Sequence, residues 1–144
     1  MPGKESLRQQ QYYAHPRNAF WKIVGETLGF DAGSRYEART SSLSAAGVAL
    51  WDVLKSCTRK SSLDSDIDSN TIVPNDFVSF FASHPHIRRV CFNGAKAEQL
   101  YHRHVLRLLA EQPDVEYVRL PSTSPANAGI PFDEKMRAWG RLVA

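Results

Sequence analysis

Arg89 to Leu120 reads RVCFNGAKAEQLYHRHVLRLLAEQPDVEYVRL. Its two ends, Arg89–Asn93 and Val115–Leu120, are short runs rich in Val, Phe, Tyr and Leu, the composition of buried strands. Gly94 opens a helix to about Glu111. Ala97, Leu100, Tyr101, His104 and Leu108 share one face of it, and Lys96, Arg103 and Arg107 do not. Strand, helix and strand in this order form a unit whose strands run parallel.

Working outward from this unit, Pro74-Asn75 opens a short helix through Phe77, Phe80 and Phe81, closed before Pro85. Residues 55–74 are rich in Ser and Asp and read as a long loop. Val48–Leu54, apolar and directly after Gly47, reads as a further buried strand. Arg35–Ala46 reads as a weak helix. Ala19–Leu28 reads as a stronger one, capped by Asn18, stopped by Gly29, and apolar along Phe20, Ile23, Val24, Thr27 and Leu28. Residues 1–18 read as loop. Towards the C-terminus, Pro121–Asn127 reads as a loop and Phe132–Val143 as a closing helix. The fold class expected is α/β, a three-layer α/β/α domain spanning residues 1–144 with a short parallel sheet. In such sheets ligands lie beyond the carboxyl ends of the strands. Trp51-Asp52, Asn93-Gly94 and the Pro121–Asn127 loop are therefore expected to converge on one edge.

Apolar residues make up 42% of the 144, which suits a packed core rather than a disordered chain. No run approaches the ~18 apolar residues of a membrane span. The N-terminus has no apolar signal region, so the expected location is intracellular, in the cytoplasm. Residues 1–60 carry nine Lys/Arg against five Asp/Glu, and residues 85–144 nine against six. Between them, Asp64, Asp66, Asp68 and Asp76 stand without a base. A basic excess outside one acidic segment permits a polyanionic partner. Two cysteines, Cys57 and Cys91, are too few for a disulfide framework or a thiolate cluster. Asp64-x-Asp66-x-Asp68 resembles the start of a calcium loop, but Ser69 and Asn75 stand where Gly and Glu belong. His84-x-His86 and His102-x-His104 have no accompanying ligand set, and i, i+2 residues on a helix point apart.

Two segments have compositions that ordinary packing does not explain: Gln11-Tyr-Tyr-Ala-His-Pro-Arg-Asn-Ala-Phe-Trp21 and Leu120-Pro-Ser-Thr-Ser-Pro-Ala-Asn-Ala128. With Met1-Pro-Gly, Gly47-Val-Ala-Leu-Trp-Asp52 and Phe92-Asn-Gly94 they make five motifs in order. Together they resemble the hypoxanthine-DNA glycosylases, the sixth family of the uracil-DNA glycosylase superfamily. The resemblance covers nearly the whole chain. It implies an enzyme that extrudes a deaminated base from DNA and hydrolyses its bond to the sugar.

The resemblance also implies roles for particular residues. Asn18 is the candidate that orients the attacking water, beside its reading as a helix cap. Tyr13 aligns with an aromatic that stacks on the flipped base, and an ordinary packing tyrosine is an equal reading. Asn93 offers donor and acceptor to the edge of hypoxanthine or uracil, and a turn residue is the alternative. Asp52 either reads the base or caps backbone amides. Ser122, Thr123 and Ser124 suit phosphates flanking the flipped nucleotide, and Pro125, Ala126 and Asn127 suit the wedge that fills the vacated stack. Arg17 and His15 either meet phosphate or stay solvated. No lysine stands in these motifs, so a monofunctional enzyme is expected, without metal or cofactor, acting as a monomer on DNA that contains a deaminated base. The alternatives are an inactive remnant or DNA-binding module of the same fold, or a glycosylase acting on uracil or a G·T mismatch. The family carries an apolar strand before Met-Pro-Gly. Here Met1 is the Met of that motif, so the chain is expected to be truncated and to lack the family's first strand.

Overall fold

The computed structural model describes residues 2–59 and 67–143. They form two compact units, one from Asp52–Leu120 and one from Pro2–Trp51 together with residues 121–143.

The Asp52–Leu120 unit holds the stretch that decided the fold. Strand β3 (Arg89–Asn93) and strand β4 (Glu116–Leu120) pair in parallel, with Arg89 opposite Glu116 and Asn93 opposite Leu120. Their crossover is helix α5 (Ala95–His104), which starts where expected but ends sooner. Leu106–Leu108 forms a 3₁₀ turn instead. The tighter period gives Val105 the core position, 2% exposed, and turns Leu108 out to 57%. Phe92, Tyr101 and Val105 form a buried cluster, lined by Val90, Phe77, Phe81 and Tyr117. Phe77 and Phe81 come from helix α4 (Phe77–Ser83), capped by Asp76, whose carboxylate accepts from the Ser79 N–H. His84 follows this helix and stacks on Phe80, with its Nδ1 2.8 Å from the Phe80 carbonyl.

One expectation fails in this unit and a second at its N-terminal boundary. The described residues of the 55–74 stretch are not loop. Strand β1 (Leu54–Arg59) and strand β2 (Ile67–Pro74) form an antiparallel pair with irregular register. Leu54 and Ile67 turn inward and pack with Leu100, while the polar residues between them hide the alternation that marks a strand. Asp64 and Asp66 of the acidic run lie outside the described residues, and Asp68 sits on β2. Nor is Val48–Leu54 a strand, because only Leu54 joins one. Its backbone is spent elsewhere: Val48 N–H donates to the Leu43 carbonyl, and Asn75 donates to the carbonyls of Asp52 and Val53. Groups used for helix closure and loop bracing are not left for a ladder.

In the second unit, helix α2 (Phe20–Leu28) buries Phe20, Trp21, Ile23, Val24 and Gly25, and stops at Gly29 in the left-handed conformation, φ 85°. Helix α3 (Tyr36–Ala45) buries Leu43. Helix α6 (Phe132–Trp139) buries Lys135 and Trp139, and a 3₁₀ turn over Gly140–Leu142 completes the closing segment. Residues 1–18 are not all loop, since Lys4–Gln9 forms helix α1. Glu5 holds it by accepting from Arg8 and Gln9, contacts made at one turn's spacing. Arg8 is the principal cause that keeps the Glu5 carboxyl below its ordinary range.

Candidate active site

Asn18 stands two residues before α2. Ala19 takes the cap position, and the Asn18 Oδ1 accepts from the Phe20 N–H at 3.0 Å. Asn18 is therefore not itself the cap, and its side chain instead closes a turn onto the first residue of the helix. The bond to Phe20 fixes which way the amide oxygen faces, and a carboxamide oxygen has a second lone pair to offer a water. The approach to Asn18 is tightly turned. Asn18 N–H donates to the His15 carbonyl, and Arg17 N–H donates to His15 Nδ1 at 3.1 Å. The His15 Nδ1 is thereby used to shape the turn.

Tyr13 is held in a conformation that side chains rarely adopt, φ 55°. Its neighbour supplies the restraint. Tyr12 N–H donates to the Tyr36 hydroxyl at 3.1 Å, and Trp21 Nε1 donates to the Tyr12 carbonyl at 2.9 Å. Arg39 lies over the Trp21 ring at 4.7 Å and secures that anchor from above. The Tyr13 ring then stacks on Phe20 with centroids 4.0 Å apart. Phe20 in turn meets the edge of Trp139 at 5.8 Å.

The 121–127 segment is built by local hydrogen bonds. Ser124 N–H donates to Ser122 Oγ, Ala126 N–H to Ser124 Oγ, and Asn127 Nδ2 to the Ser122 carbonyl. Pro125–Asn127 closes as a 3₁₀ turn. Ser122 and Ser124 accept with their oxygens, and each hydroxyl still has a hydrogen to donate. Thr123 differs from what the sequence suggested. It is 1% exposed, so its hydroxyl faces the interior, while its carbonyl accepts from the Ala19 N–H at 3.1 Å. That one bond joins the Asn18 motif to the hydroxyl-rich loop. Tyr13, Asn18, Ser122, Thr123, Ser124 and Asn127 therefore belong to one unit.

Asn93 and Asp52 belong to the other. Asn93 ends β3 as expected, half-buried. Gly94 follows it with φ 98°, and its N–H donates to the Leu120 carbonyl at 2.9 Å. The carboxyl ends of the two parallel strands thus lie side by side. Asp52 does not end a strand, which corrects the expected convergence of three strand ends. It lies in the segment before β1, half-buried, with its carbonyl accepting from Asn75 Nδ2 at 2.7 Å.

Sequence reasoning missed Lys135, Trp139 and Tyr36, which hold the loops rather than line them, and gave Trp21 of the first motif no role of its own. The only sequence signal of the first three is a lysine and a tryptophan four residues apart on the closing helix, and an aromatic in an ordinary helical position.

Known proteins of similar sequence and fold identify the family. The family model of the uracil DNA glycosylase superfamily matches residues 1–142. A hypoxanthine DNA glycosylase of Methanosarcina acetivorans is 38% identical over 128 residues, covering 88% of this chain and 76% of that protein. A hypoxanthine DNA glycosylase of Methanosarcina barkeri is 34% identical with the same coverage. The solution structure of a candidate uracil DNA glycosylase from Methanosarcina acetivorans superposes with a TM-score of 0.76 at 35% identity, covering 99% of this chain and 86% of that one. The chain belongs to the uracil DNA glycosylase superfamily.

Proposed function

We propose that this protein is a monofunctional DNA glycosylase of base excision repair, removing hypoxanthine by preference and uracil as a second substrate. The observation that carries the reading is the hydrogen bond from Ala19 N–H to the Thr123 carbonyl. It couples a carboxamide suited to orienting water with a loop suited to holding phosphates. Its relatives named hypoxanthine DNA glycosylases support the choice of base.

In this reading the extruded nucleotide rests on Tyr13, and the O–H groups of Ser122 and Ser124 donate to its flanking phosphates. Asn18 orients a water towards C1′. The C1′–N bond breaks with its electron pair leaving on the base. The water oxygen bonds to C1′, and its proton ends on the departing base. Orientation and a fixed dipole supply the acceleration, since a neutral amide is a weak base. Asn93 reads the carbonyl and adjacent N–H that hypoxanthine and uracil share. Asp52 braces the segment before β1.

The test is a labelled duplex carrying one deoxyinosine, run beside duplexes carrying deoxyuridine or a G·T mismatch. Strand scission is expected only after alkali, fastest with deoxyinosine. Asn18→Ala is expected to slow it by about 10²–10³-fold. Binding of every duplex with no alkali-labile product would instead identify a DNA-binding module. An Asn18→Ala protein within about tenfold of the parent would remove Asn18 from the chemistry.

A further inference from the structure

No lysine stands in a motif, yet one of them is among the most deeply buried polar residues described. Lys135 is 6% exposed, and its Nζ donates to the Asn127 carbonyl at 2.8 Å. One turn later on α6, Trp139 Nε1 donates to the Pro121 carbonyl at 2.9 Å. Trp139 is 3% exposed. Residues four apart on a helix share a face, so one face of α6 grips the first and the last residue of the 121–127 loop. A buried ammonium is costly to desolvate, and a single short surface turn needs no such residue for stability. Ordinary packing at position 135 would be served by Leu or Met.

We propose that Lys135 and Trp139 are positioning residues, a two-point clamp by which α6 presets the 121–127 loop in its DNA-binding shape. This rests on the glycosylase reading above and extends it to a helix that no motif marks. The loop spans seven residues and carries two of its own turns. With both ends fixed, the Ser122 and Ser124 hydroxyls are held in place before DNA arrives, and the ordering cost is met during folding rather than during binding. Lys135 brings a cation beneath the Asn127 carbonyl and draws that peptide's negative end away from an approaching phosphate.

The experiment compares the parent with Lys135→Met, Lys135→Arg and Trp139→Phe, under single turnover on the deoxyinosine duplex. Met keeps the stem and removes the donor. Arg keeps a charged donor. Phe keeps a ring against Phe20 and removes the indole N–H. Loss of a preset loop weakens ground state and transition state alike, so the effect belongs in KM. K135M is expected to raise the half-saturating concentration about tenfold, with the maximum rate within about threefold of the parent. K135R is expected to recover most of the loss, and W139F to shift the same parameter in the same direction. A folded K135M with unchanged half-saturation overturns the proposal, as does a loss confined to the maximum rate. Should K135M fail to fold, W139F decides alone by the same criterion. A parent protein without activity on any deaminated duplex is a failure of the glycosylase reading. The clamp is then judged by the affinity of the same variants for a duplex containing a tetrahydrofuran abasic analogue, where an unchanged affinity overturns it.

Discussion

At the scale of single residues, Tyr13 shows a side chain placed by work done elsewhere. Its backbone sits at φ 55° because Tyr36 and Trp21 hold both polar groups of Tyr12. One face of its ring is already occupied by Phe20. In the proposed reading, stacking of the flipped base on Tyr13 is worth roughly 1–3 kcal/mol. Tyr13→Phe is expected to leave activity on deoxyinosine within about twofold, since only the ring is used, whereas Tyr13→Ala is expected to raise KM by about 10–100-fold. Equal losses in the two variants, measured as kcat/KM, would assign the hydroxyl a role that stacking does not give it. The Tyr12-Tyr13 pair was visible in the sequence as a candidate. Which ring stacks, and that its neighbour's main chain is the tether, depends on residues as far along as Tyr36.

Among the elements, α2 is the one whose sequence and structure agree most closely. Its face and its Gly29 stop were legible because a 3.6-residue period and a left-handed glycine are local signals. Its interior glycine was not. A Cβ at Gly25 would lie 2.9 Å from the Phe30 carbonyl oxygen and 3.3 Å from the Ala32 Cβ. The chain folds back over the helix end at this point, with the N–H groups of Gly29 and Phe30 both donating to the Gly25 carbonyl. Gly25→Ala is expected to destabilise the protein by about 1–3 kcal/mol, read as a lower thermal midpoint. Gly140→Ala, where no atom lies within 4 Å, is the control and should stay within about 1 kcal/mol of the parent. The elements that sequence misplaced fail for the opposite reason. The β1–β2 pair buries few apolar residues, so its pattern resembles a polar loop. Val48–Val53 is apolar, but its main-chain groups cap α3 and brace Asn75, so composition there mimics a strand.

For the whole molecule, the question is what the product looks like. A lyase needs an uncharged amine that attacks C1′ and forms an imine, which borohydride traps. Lys135 comes from outside the motifs, yet its Nζ is engaged with the Asn127 carbonyl, where it serves as a donor and not as a nucleophile. Incubation with deoxyinosine DNA and borohydride is therefore expected to yield no covalent complex. A trapped adduct that Lys135→Met abolishes would reverse the monofunctional assignment. Among the described residues no helix is long and apolar enough to cross a membrane.

The amino-acid sequence by itself determined the parallel β3–α5–β4 unit and the α2 and α6 helices, and it put forward the candidate site residues. These rest on local periodicity, on glycine stops and on short motifs whose meaning is carried within ten residues. The tertiary structure alone decided that Thr123 is buried while Ser122 and Ser124 are only half-buried, that Asp52 precedes a strand instead of ending one, and that α6 grips both ends of the 121–127 loop. Those outcomes depend on which distant main-chain groups need a partner. A hydrogen bond between residues 18 positions apart, such as that of Pro121 and Trp139, leaves no periodic trace in the chain that makes it.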